Sequence, residues 1–200
     1  MEQNTKFKVE LTPEIRLEQA LMNAGIKDAA SVLNLVIVGT VTDDDFKYIR
    51  ENMAKTLKEL DMSYASVEGG KIGKWVFLDC TGLISVNISN SVTEIGEGAF
   101  QGCTKLSNVT IPDSVTTIEN FAFYGCYGFC KTQTKPKPVI SIPASVVTIK
   151  PFALCGCPAK DKYPRDKNKY EPDLDGPNPI VVHPDNPVYA SENGRLKRKL

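Results

Sequence analysis

Six cysteines, a single histidine and a run of three aspartates hold most of the reactive potential of this 200-residue chain. Cys126, Cys130, Cys155 and Cys157 formally supply four thiolates for zinc. Zinc sites, however, use C-x2–4-C pairs set against a second pair, and Cys126-x-x-x-Cys130 and Cys155-x-Cys157 lack partner histidines. His183 stands alone near the C-terminus. Asp43, Asp44 and Asp45 do not follow the D-x-D-x-D-G spacing of a calcium loop. They follow Thr42, so Thr42 and Asp45 form a capping box and three carboxylates sit at the positive end of a helix. There is no G-x-S-x-G elbow, no H-E-x-x-H and no glycine-rich phosphate loop before a helix. No histidine is placed to activate a thiol. The chain therefore reads as non-catalytic, with no metal and no cofactor.

Four of the cysteines recur at one position of a repeated phrase. Ser91-Val92-Thr93-Glu94-Ile95 leads to Ala99-Phe100-Gln101-Gly102-Cys103. Ser114-Val115-Thr116-Thr117-Ile118 leads to Ala122-Phe123-Tyr124-Gly125-Cys126. Ser145-Val146-Val147-Thr148-Ile149 leads to Ala153-Leu154-Cys155-Gly156-Cys157. The offsets are 114 − 91 = 23 and 145 − 114 = 31, the second being 23 plus an insertion of 8. A fixed period in the twenties marks an array built from one supersecondary unit per coil. Cys80, Cys103, Cys126 and Cys157 then form a ladder of buried free thiols, because equivalent positions on stacked coils have parallel Cα–Cβ vectors. Cys130 and Cys155 lie outside the ladder on adjacent coils and are the one pair to consider for a bridge.

Between the phrases runs Leu-x-x-Val-x-Ile, as Leu83, Val86, Ile88 and as Leu106, Val109, Ile111. Its period of 2 predicts a short strand with both apolar side chains on one face. Stacking sets Val86, Val109 and Ile140 in one line and Ile88, Ile111 and Ile142 in the next. The strands must be parallel, since every coil travels the same way. The reading predicts strands at 35–37, 60–62, 86–88, 109–111, 140–142 and 180–182 in one sheet. Ala-Phe-x-Gly-Cys predicts a single helical or 3-10 turn on the opposite side, with Phe100, Phe123 and Leu154 inside. Gly102, Gly125 and Gly156 end the turn.

Ile111-Pro112-Asp113-Ser114-Val115-Thr116 and Ile142-Pro143-Ala144-Ser145-Val146 closely resemble the BspA-like leucine-rich repeats, written roughly L-x-x-L-x-I-P-x-S-V-T-x-I-G-x-x-A-F-x-x-C. The likeness is strong from Leu57 to Cys157 and looser on the flanks. It implies an α/β repeat: a right-handed leucine-rich-repeat solenoid of short parallel strands, with short turns on the convex side. Family members are typically surface or secreted proteins of anaerobic gut and oral bacteria and of some protozoa. The resemblance thus implies adhesion or recognition of a protein or glycan at the cell surface or outside the cell. The alternative is a structural spacer or an intracellular, cytoplasmic scaffold with no ligand of its own.

Lys plus Arg equals Asp plus Glu, at 24 each, so no basic field attracts nucleic acid or an anionic membrane. No apolar run is long enough to span a membrane. The first ten residues hold no apolar leader core. The chain is then either intracellular or a mature form, and the resemblance favours the second.

In chain order, Thr12 and Pro13 predict a helix start, with Leu17, Ala20, Leu21 and Ala24 as its apolar stripe. This helix is expected to cap the N-terminal end of the array, giving a helical cap at 1–30 and a repeat domain at 31–200. Phe46, Ile49 and Met53 predict the buried stripe of a second helix. The extra residues of the Leu57 coil belong near Glu68-Gly69-Gly70, and Trp75 is expected on the convex side. Insert loops are expected at 131–138 and 158–179. Near the end, Asn186-Pro187-Val188-Tyr189 and Asn193-Gly194 predict two short strands joined by a tight turn.

Function is expected on the strand face. With Val86 and Ile88 pointing in, Asn87 points out, and so do Asp61, Thr110 and Ser141. These four form a polar row, flanked by Ser85 and Asn108, to which the long loop adds Tyr163 and Tyr170.

Overall fold

The computed structural model describes residues 6–130, 140–154, 180–192 and 195–199. The alternating sequence Lys6-Phe7-Lys8-Val9-Glu10-Leu11 forms β1 (Lys6–Leu11). Then come α1 (Leu17–Asn23), β2 (Asn34–Val41), α2 (Asp43–Met53) and β3 (Glu59–Val67). Beyond them the elements shorten to β4 (Lys71–Ile72), β5 (Ser85–Asn87), β6 (Glu94–Ile95), β7 (Asn108–Thr110) and β8 (Thr117–Ile118). Past the first insertion lie β9 (Ile140–Ile142), β10 (Thr148–Ile149) and β11 (Ile180–Val182), then β12 (Tyr189–Glu192) and β13 (Arg195–Arg198).

β1, β2, β3, β5 and β7 lie side by side, in that order and all parallel. A second parallel sheet, β4-β6-β8-β10, stacks the Thr-x-Ile segments. The apolar residues of both sheets and of the turns form one core cluster.

Several expectations need correction. The single six-stranded sheet is instead five strands, including the unforeseen β1, plus a separate parallel pair, β9 with β11. The break falls where the 131–138 insertion interrupts the period. The N-terminal edge of the sheet is a strand and not a helix, because α1 links β1 to β2. α1 also starts late. Thr12 Oγ1 accepts from the N–H groups of Ile15 (3.1 Å) and Glu14 (3.3 Å), closing an isolated turn. Leu17 N–H donates to Asp45 Oδ1 at 2.9 Å, which fixes the helix start there.

In the two copies described throughout, ending at Cys103 and Cys126, the Ala-Phe-x-Gly-Cys segment is not helical. Its N–H groups alternate between a local turn and the next coil. Cys103 donates to Phe100 (3.2 Å), while Phe100 donates to Ala122 and Gly102 to Tyr124, both at 2.8 Å. That alternation requires left-handed backbone. Gly102 and Gly125 have φ +75° and +76°, and Asp79 takes the same position in the preceding coil at +55°. A Cβ on Gly102 would lie 2.0 Å from Asp79 Oδ1, so a side chain there would have to displace the Asp79 carboxylate.

The interior is a column of rings. Phe46 of α2 meets Phe77 edge-on at 5.3 Å, and Phe77, Phe100 and Phe123 stack at 5.1 and 5.2 Å. Cys80, Cys103 and Cys126 are buried free thiols beside it, as the ladder predicted. Cys155 and Cys157 fall outside the described residues, as do 131–138 and 158–179. At the C-terminal end, β12 and β13 pair antiparallel, with Glu192 opposite Arg195. Asn186 is fully buried. Its amide donates to the carbonyls of Pro143 and Val146, and its Oδ1 accepts from Val188 and Tyr189. Tyr189 Oη in turn accepts from Ile149 N–H at 2.9 Å, standing in for the carbonyl of a further coil.

Candidate functional site

The strand face presents the predicted polar row through register alone. Asp61 pairs with Asn87 and Asn87 with Thr110 across β3, β5 and β7. Thr110 Oγ1 donates to Asn87 Oδ1 at 2.9 Å, and Asn87 lies opposite Asp61 in the ladder. Asp61 Oδ1 also accepts from the Ser63 hydroxyl (2.6 Å) and N–H (3.0 Å). Burial pushes the Asp61 carboxyl up, but the Ser63 and Asn87 donors and the Lys6 charge outweigh it and hold it below its ordinary range. In the flanking row, Asn108 Nδ2 donates to Ser85 Oγ at 3.2 Å.

Ser141 is not in this row's sheet. It sits on β9 beside Val181 of β11, whose side chain is exposed. Tyr163 and Tyr170 lie outside the described residues. Sequence reasoning missed Tyr64, which is 70% exposed on β3. A bulge at Met62-Ser63 shifts the register from Val36↔Asp61 to Val38↔Tyr64 and turns Tyr64 outward. The visible signal was the failure of strict alternation after Met62.

The reactive groups are otherwise quenched. Burial pushes the Cys80 thiol up to about 12, and it pushes Cys103 and Cys126 well above the ordinary thiol range. Their S–H groups are spent on carbonyls of the preceding coil: Cys103 on Phe77 and Cys126 on Phe100, each at 3.1 Å. Such thiols are poor nucleophiles at neutral pH. Among the described residues, no three His, Cys, Asp or Glu side chains gather to hold a metal ion. On the turn side, Trp75 is 44% exposed, with Lys74 Nζ 4.1 Å above its ring.

A profile of BspA type leucine rich repeat regions matches residues 70–157, in six copies. Over that stretch, 88 of the 200 residues, the chain is similar to BspA-type leucine-rich repeats. The fold is accordingly a leucine-rich-repeat fold with parallel strands and few helices. No curated protein matches the chain. Among solved structures, the chain is similar to a leucine rich cell surface protein of Faecalibacterium prausnitzii A2-165. Identity is 20% over 98% of this chain and 47% of that one, with a TM-score of 0.45. It is similar to the T. pallidum leucine rich repeat protein at 23% identity, over 48% of this chain and 53% of that one, with a TM-score of 0.37. It is also similar to the pneumococcal vaccine antigen PcpA at 16% identity, over 86% and 37%, with a TM-score of 0.43. The chain spans about half the length of the first two. Among the described residues, no helix is long and apolar enough to cross a membrane.

Proposed function

We propose that this chain is a non-catalytic recognition module that docks a protein or glycan partner on its strand face, at a cell surface or outside the cell. The observation that carries the reading is the row Asp61–Asn87–Thr110, aligned by register on the strand face with Thr110 bonded to Asn87. Repeat proteins use such rows as extended binding surfaces, because stacking repeats one outward position many times. The row keeps unused acceptors on Asp61 and Asn87, so donor-rich ligands suit it. In this reading the coils continue as a right-handed solenoid across the insertions. Ser141, Ser85 and Asn108 widen the surface, and Tyr163 and Tyr170 add contacts at its edge.

The test is binding of the wild-type chain to purified matrix proteins and immobilised glycans, compared with the N87R/T110R/S141R chain. The expected result is binding that the triple substitution removes while the fold persists. Binding that survives it rules out this surface. One observation favours a second reading, that of a spacer: Thr110 and Asn87 already bond to each other. A spacer binds nothing in the panel, and the same substitutions then only lower its stability.

A further inference from the structure

β1 forms the N-terminal edge of the five-stranded sheet, and among the described residues no strand lies on its other side. Val9 and Leu11 are buried and Phe7 is half-buried, while Lys6, Lys8 and Glu10 are exposed. An open edge of this length is a template for another chain, and lysines on such an edge usually repel one. Here Glu10 supplies the opposite charge two residues from Lys8. We propose that β1 pairs antiparallel with β1 of a second copy, about a twofold axis through Val9.

Register carries the argument. Apolar residues face apolar residues only when the numbers of opposed residues sum to an even value. With Val9 opposite Val9, Lys8 opposes Glu10 twice and Phe7 opposes Leu11 twice. Slipping one step either way within the even set opposes Lys8 to Lys8, with Lys6 opposite Glu10 on either side, or opposes Glu10 to Glu10, so of these three only the Val9 register has no like-charge pair directly opposite. Slipping further opposes Lys6 to Lys8 or leaves only the strand ends in contact. The edge is therefore self-complementary in one register, and like charges directly opposite penalise its neighbours. Lys6 needs no partner across the axis, since its ammonium lies 3.6 Å from Glu59. The pairing joins two five-stranded sheets into ten strands (5 + 5) and covers the open side of Phe7. Because the axis runs normal to the sheet, both Asp61–Asn87–Thr110 rows face the same side. Two weak sites on one surface then bind a repetitive ligand with avidity.

Sedimentation equilibrium at low salt, up to about 100 µM, tests this, because weak edge contacts are populated in that range. The wild-type chain is expected to approach 44 kDa, twice the 22.0 kDa of one copy. K8E and E10K each set like charges together at two places, so each is expected to weaken the dimer about tenfold or more. Mixing the K8E and E10K chains restores opposite charges at both places, and so does the double variant K8E/E10K, so both should recover the wild-type mass. A wild-type chain that stays at 22.0 kDa overturns the proposal. So does a dimer that the single substitutions leave untouched, or one that neither recombination restores. Binding to the immobilised panel of the preceding section is read separately, since a monomeric chain with an intact row still binds there.

Discussion

Residues 6–67 and residues 68–154 bury similar apolar faces by different means. In the first region the strands run six to nine residues, and helices carry the chain back between them. In the second the strands run two or three residues and turns carry it back. The polar bonds differ to match. One carboxylate organises the helical region. Asp45 accepts from Leu17 N–H at the start of α1, from Thr42 at the start of α2, and from the Arg16 guanidinium. Among its described residues the turn region has no such centre. It repeats a small set of contacts (a stacked ring, a thiol on a carbonyl, a left-handed residue) once per coil. Stability should be concentrated in the first region and distributed in the second.

The largest expected effect tests the distributed half. Phe100 is fully buried between Phe77 and Phe123, so Phe100→Ala empties a site with rings on both sides. The expected cost is about 3–5 kcal/mol in urea unfolding. Phe77 couples the regions, since it touches Phe46 of α2 as well as Phe100. A double-mutant cycle on Phe46 and Phe77 is expected to give about 0.5–1.5 kcal/mol of coupling. A value near zero would mean that the regions unfold independently.

The concentrated half breaks at Asp45. Asp45→Asn is expected to cost about 3 kcal/mol, the lower end for a broken buried pair, because Arg16 keeps part of its solvation. Burial pushes the Asp45 carboxyl up, but the hydrogen bonds from Arg16, Thr42 and Leu17 prevail and its pKa is lowered. A depressed folded pKa contributes stability that is fully present above the unfolded value of about 3.9 and is lost as pH falls through the folded value. Acid titration should thus show the wild type converging on the Asn variant below about pH 4. A constant gap across that window would contradict the role given to the carboxylate.

The same contrast explains what the sequence made legible. The turn region repeats, so Val86, Val109, Phe100 and the thiols could be placed by comparing coils. The α2 capping box was also readable, because it is local. What escaped were contacts to residues far along the chain. The start of α1 is set by Asp45, 28 residues beyond Leu17, and no local signal competes with the Thr12-Pro13 cue. β1 was overlooked although its alternation is clean, since it precedes the repeat and carries no repeat residue. The outward turn of Tyr64 depends on a bulge that only the pairing with β2 defines. Of the candidate face, the register of Asp61, Asn87 and Thr110 followed from the period. The bond from Thr110 to Asn87 did not, because side-chain direction within a row is not encoded in spacing.

The next effect compares the chain's ends. The N-terminal edge is an open strand, whereas Asn186 and Tyr189 close the β10 edge with side-chain groups. Asn186→Ala removes four hydrogen bonds at once, two of them buried, and strands two carbonyls, at an expected cost of about 2 kcal/mol. Hydrogen exchange should show faster exchange of the Ile149 amide in that variant, with amides of β1 and β2 unchanged. Uniform acceleration would mean that the ends are not separate.

The smallest effect separates the bonded row from its continuation. Thr110 donates to Asn87 within the five-stranded sheet, whereas Ser141 makes no side-chain hydrogen bond among the described residues. Thr110→Val keeps the branched shape and removes only the donor. It should cost about 0.5–1 kcal/mol, the net worth of one partly solvated bond. Ser141→Val gains strand propensity and loses no bond, so it should be neutral or slightly stabilising, within about 0.5 kcal/mol. Urea midpoints at constant m-value read both changes. Equal effects at the two positions would show that the row's bonds are incidental to the face. A larger cost at Thr110 would show that the five-stranded sheet holds its outward polar groups in fixed orientation, as a surface that presents one pattern to a partner must.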